Sequence, residues 1–126
     1  MGNSEIYQII LDSLLSLGFS QWEKIVFYSQ YDKNSFEMKF FVKNGETYKD
    51  CFSLGIPDKT IVNMFIQLDK EISRFRKLIT DDKQELWTAM TIIFDSDLQF
   101  KAEFDYNVIE DVIPYKSEWK KKYLKT

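Results

Sequence analysis

The side chains in this sequence that could do chemistry are carboxylates. Glu103 and Asp105 stand two apart in residues 98–106, where Leu98, Phe100, Ala102, Phe104 and Tyr106 alternate with Gln99, Lys101, Glu103 and Asp105. Strict period-two alternation predicts a β-strand with one dry and one wet face. It sets the two acidic Cα atoms roughly 6.6 Å apart on the wet face. Such a pair could exchange protons, hold a divalent cation or meet a basic partner. A merely solvated strand face has the same composition.

Residue counts exclude most other chemistries. There is no His, so the commonest general base and metal ligand are missing, together with any Ser-His or Cys-His nucleophile pair. The one cysteine, Cys51, can form no internal disulfide. It stands beside Asp50 in a stretch read as strand, where a thiolate is not favoured. A zinc site of the Cys/His kind is excluded by count, and the four Gly form no phosphate-cradling loop. Catalytic carboxylates need a pocket, and the sequence displays none. The expectation is a protein that is not an enzyme and uses no cofactor or metal.

Charge is unevenly spread. Residues 81–111 hold nine acids and two bases, a local net of −7, whereas residues 112–126 hold five Lys and one Glu, a local net of +4. The acidic block would be repelled by phosphates, which argues against nucleic acid and for a basic protein partner. The candidate charged contacts are Asp95, Asp97, Glu103, Asp105, Glu110 and Asp111, with Tyr106 and Tyr115 as aromatic anchors. Core packing with a hydrogen-bonded hydroxyl is the other reading of those tyrosines. The lysine-rich tail reads as a solvated terminal helix, and with two Arg in the chain it is a poor base reader.

Elements must position these groups. Ile6, Ile9, Ile10, Leu14 and Leu17 share one helical face, so residues 4–17 are predicted as a helix that Asn3 or Ser4 could cap and Gly18 ends. Residues 22–31, 36–42 and 47–54 read as three strands. They are joined by turns at 32–35 and at Asn44-Gly45, a strong hairpin signal. In the second strand Phe36, Met38, Phe40 and Val42 are expected inward. A long stripe, Ile61, Met64, Phe65, Leu68, Ile72, Phe75 and Ile79, predicts a helix over about 59–79, capped by Asp58 or Thr60. Residues 86–106 form a hairpin turning at Asp95-Ser96-Asp97. Pro114 bars a helix from running through it, leaving a short one over 115–124. The order α-βββ-α-ββ-α implies an α+β fold with an antiparallel sheet of about five strands: an N-terminal helix, a long central one and a short C-terminal one.

At 126 residues one domain is expected, covering 1–126. The start, MGNSEIYQ, lacks the basic and apolar regions of a signal peptide. No apolar run approaches ~18 residues. These features point to a cytoplasmic chain with no membrane segment. They leave its oligomeric state open.

A set of aromatic motifs occurs in a distinctive order. Trp22-Glu23-Lys24 opens the first strand and Ile56-Pro57 precedes the long helix. Then come Glu85-Leu86-Trp87-Thr88, Phe104-Asp105-Tyr106, Pro114-Tyr115 and Trp119-Lys120-Lys121-Lys122-Tyr123-Leu124. The ordered set resembles the YezG-like immunity protein family over nearly the whole chain. Asp97-Leu98 stands where that family tends to have Gly in the turn before the last strand. The resemblance implies an antitoxin that binds a toxin of the same bacterium, often a nuclease, and holds it inactive in the cytoplasm by stoichiometric complex formation. An acidic surface would suit a nuclease's basic cleft. The alternative is a small ligand-binding domain or enzyme using a pocket between sheet and helices.

Overall fold

The structure, a computed structural model, describes residues 4–19, 21–32, 35–79, 86–107, 109 and 112–124. The elements run α1 (Ser4–Leu15), β1 (Lys24–Tyr31), β2 (Phe36–Lys43), β3 (Tyr48–Asp50), a 3₁₀ turn (Cys51–Ser53), α2 (Asp58–Leu78), β4 (Ala89–Asp95), β5 (Phe100–Asp105) and α3 (Val112–Tyr123). This is the expected α-βββ-α-ββ-α order. All pairings are antiparallel, and the five strands lie in the order β3-β2-β1-β4-β5.

Both faces of the sheet are covered. On the first, Ile6, Ile10 and Leu14 of α1 and Ile61, Phe65, Leu68, Ile72 and Phe75 of α2 meet Ile25 and Phe27, Phe40 and Val42, and Met90, Ile92 and Phe94. Trp87 is fully buried here, edge-on to Tyr31 at 5.6 Å. The Arg76 guanidinium lies over both rings, and its Nε donates to the Trp87 carbonyl. On the second face Val26, Tyr28, Phe41 and Ala89 are buried with Trp119 of α3. Burial on both sides explains why β1, the central strand, reads as the unbroken apolar run Ile25-Val26-Phe27-Tyr28 rather than as an alternation.

Local chemistry moves several boundaries. The third strand stops at Asp50 because the Asp50 carboxylate accepts the Phe52 N–H at 2.9 Å, capping a 3₁₀ turn that drives Cys51 fully into the core. Neither Asp58 nor Thr60 caps α2. Pro57 holds the cap position, where its carbonyl accepts from Thr60 and Ile61. Pro114 does not precede α3 but lies within its first turn, where N–H groups have no intrahelical partner and a missing one costs nothing. Phe36, expected inward, is 36% exposed at the end of β2 and stacks on Tyr31. Leu98 belongs to neither strand face. It occupies the β4–β5 turn at φ +67° and is 65% exposed. Gly18, at φ +92°, ends the first helical segment as its position predicted. Asn3 lies outside the described residues.

Candidate functional site

The β4–β5 hairpin turns through Ser96, Asp97 and Leu98. The Asp95 N–H donates to the Gln99 carbonyl at 2.8 Å, and the Leu98 N–H to the Asp95 carbonyl at 2.9 Å. This is a three-residue loop with its last residue left-handed, a geometry that normally selects glycine. The closing pair puts the side chains of Lys101, Glu103 and Asp105 on the second face, opposite Ile93, Thr91 and Ala89. That face is the wet one only in part, because α3 lies across it.

Trp119 fixes α3 in place. Its indole N–H donates to the Thr91 hydroxyl at 2.9 Å, and its ring meets Tyr28 edge-on at 5.0 Å and Phe41 at 5.6 Å. An ion pair lies on either side of the helix. Lys116 bonds Glu37 of β2, and Lys122 lies 3.7 Å from Glu103 of β5. Two lysines of the basic tail therefore contact the sheet rather than simply facing water.

Between α3 and the β4–β5 hairpin runs a groove of about 640 Å³. Glu103 and Asp105 form one wall; Tyr115, Glu118, Trp119, Lys122 and Tyr123 form the other. Asp105 accepts the Asn107 N–H at 2.9 Å and the Tyr115 hydroxyl at 3.3 Å. Burial, and then the charge of Asp105, push the Tyr115 hydroxyl up to about 12. The Lys122 ammonium is held above its ordinary value by Tyr123 first and Glu103 second.

The proposed contact residues separate into groups. Glu103, Asp105 and Tyr115 come together in the groove. Asp95 and Asp97 sit at the other end of the hairpin, with Asp95 roughly 20 Å along the strand from the level of Asp105 by the rise per residue. Tyr106 is half-buried against the first-face core, on the opposite side from Asp105. Glu110 and Asp111 lie outside the described residues. Lys122, Glu118 and Thr91 are groove residues that sequence reasoning did not single out. The spacing of Trp119 and Tyr123 was the one signal that α3 had an aromatic side to present.

The groove's size falls in the range of small-molecule pockets. Its lining carries carboxylates, phenols and one ammonium but no thiol or imidazole. Burial pushes the Cys51 thiol up to about 11, away from nucleophilic use, and the group is fully enclosed. Among the described residues no three His, Cys, Asp or Glu cluster to hold a metal ion, and no helix is long and apolar enough to cross a membrane. What the site offers is an acidic, aromatic-walled recess against the sheet.

That architecture is of a small α+β protein, and comparison with known proteins names the family. Residues 3–126 match the family described as Immunity protein YezG-like, and the chain belongs to it. It is similar to the immunity protein YezG of Bacillus spizizenii, 25% identical over 115 residues, or 86% of this chain and 70% of the relative. The immunity protein YezG of Bacillus subtilis is likewise 25% identical over 111 residues, covering 83% of this chain and 74% of the relative. Family membership gives the chain an immunity role.

Proposed function

We propose that the chain protects its cell by binding a cognate toxin, a nuclease with a basic cleft, and holding it inactive in a stoichiometric complex in the cytoplasm. The observation that carries this reading is the acidic hairpin backed by the α3 groove. It presents carboxylates and aromatic rings together on a scaffold packed on both faces. A nuclease offers a basic surface to phosphates, and an acidic surface can occupy or border it. Opposed charge speeds encounter and selects the partner, and enclosed aromatic contacts slow release. In this reading Asp95, Asp97, Glu103, Asp105, Glu110 and Asp111 supply charge, and Tyr115 supplies aromatic contact. Tyr106, turned to the core side, supports the strand from behind.

The test is co-expression with the product of the neighbouring toxin reading frame. A complex of defined stoichiometry should elute on size exclusion, and nuclease activity should vanish at the equivalence point. Activity that survives excess protein, or the absence of a complex, removes the proposal. Reversing Glu103 and Asp105 to Lys should slow association about tenfold or more at low salt. An unchanged on-rate would exclude this face.

A further inference from the structure

We propose that the groove between β5 and α3 is a receptor for one cationic side chain, an arginine, presented by the partner. This rests on the reading of the hairpin as the toxin-facing surface and names the chemistry that surface recognises. The groove's own lysine supports it. Lys122 Nζ lies 3.7 Å from Glu103 Oε1 and 5.1 Å from the centroid of the Tyr123 ring, so a cation already rests between a carboxylate and an aromatic face. The hold is weak. The contact is long, and the Lys122 side chain is 65% exposed, which is the geometry of an ion pair that contributes little and exchanges readily.

The recess has capacity for a better cation in place of Lys122. Glu103 and Asp105 are two apart on one strand face, and a carboxylate accepts about four hydrogen bonds. Asp105 receives two, from Asn107 and Tyr115. Glu118 is paired with Lys121 at 3.5 Å and Glu103 with Lys122 at 3.7 Å, so Asp105 is the groove carboxylate with no cationic partner among the described residues. Tyr115 and Tyr123 add flat walls beside it. A planar guanidinium uses such a site more fully than an ammonium does. It forks across carboxylate oxygens, stacks on rings and is more weakly hydrated. Arriving there, it takes over the Glu103 contact and releases Lys122 to water.

The experiment titrates the free protein with the peptide acetyl-Gly-Arg-Gly-amide and with its Gln counterpart, followed by NMR. The reporters are the Trp119 indole N–H and the ring resonances of Tyr115 and Tyr123. The Arg peptide should give saturable shifts, with the Gln peptide about tenfold weaker or silent, as expected for loss of a charge-assisted pair. Glu103→Gln and Asp105→Asn, which keep the shape but remove the charge and one acceptor oxygen, should each weaken the Arg response about tenfold. Lys122→Gln should tighten it roughly two- to fivefold by removing a competitor held by an exposed ion pair. Equal responses to the two peptides, or weaker binding by Lys122→Gln, overturn the proposal. No toxin is needed, so a chain that binds its toxin but not the Arg peptide refutes this inference alone. Failure to bind the toxin at all removes the functional reading instead.

Discussion

Leu98 offers the sharpest test of the local physics. It sits at φ +67° in the β4–β5 turn, a conformation costing an L-residue roughly 1–2 kcal/mol. Its side chain is 65% exposed, so truncation to Ala forfeits only the small buried remainder, at most about 0.7 kcal/mol by area. Ala at 98 keeps the strained backbone. Gly relieves it but loses roughly 0.5–1 kcal/mol through the extra freedom of its unfolded chain. The expected result is an inversion of the usual order: Leu98→Gly should be more stable than Leu98→Ala by about 0.5–1 kcal/mol, with Leu98→Asn between them. For 126 residues the unfolding entropy is about 265 cal/mol/K, so 1 kcal/mol corresponds to roughly 4 °C in Tm. Urea titrations of the three variants, fitted with a shared m-value, resolve that difference. If Gly proves less stable than Ala, as at an ordinary strand position, the left-handed assignment and the strain argument both fall.

Two further outcomes follow from the packing. Trp119→Ala removes the side chain that fixes α3, a truncation costing about 3–5 kcal/mol unless the helix detaches first. A free twelve-residue helix is marginal, so in this variant hydrogen exchange should find α3 amides unprotected while those of β1 and β4 stay protected; α3 protected as well as the sheet would refute it. Asp50→Asn should cost about 1 kcal/mol at pH 7. Burial pushes the Asp50 carboxyl up, but Lys39 and the Phe52 N–H outweigh it and hold it below 3.8. Its folded value is depressed, so its contribution is full above 3.8 and fades as pH falls through the lower folded value. Chemical denaturation should show the gap between variant and parent shrinking as pH falls below 3.8; a constant gap would mean the charge is not the source.

Much of the scaffold was legible because single faces of helices and strands leave a periodic trace. The stripe from Ile61 to Phe75 and the alternation in β2 gave α2 and β2 nearly to their ends, and Asn44-Gly45 marked its turn. The errors share one cause, a local group or a tertiary contact overriding the period. Asp50 turned a strand into a 3₁₀ turn by capping it. Leu98 continued an alternating pattern in sequence while its backbone left the strand. The second hydrophobic face was hidden because it is built from Val26, Tyr28 and Phe41, which sit between first-face residues, and from Trp119, nearly eighty residues beyond Phe41. Glu103 and Asp105 were singled out by spacing, but Lys122 reaches Glu103 across space and left no trace in the period.

The strand order has a consequence for timing. The central strand β1 is made early, yet its β4 partner follows some seventy residues later, since Lys24 pairs with Asp95. The groove needs α3, the last helix of the sequence. At ordinary translation rates the stretch from Lys24 to Asp95 takes on the order of several seconds to make, and β1 is without its β4 partner for that interval. A cell making toxin and immunity protein together therefore has an interval in which the antidote is being synthesised but cannot yet act. The order in which the two are translated becomes part of the protection.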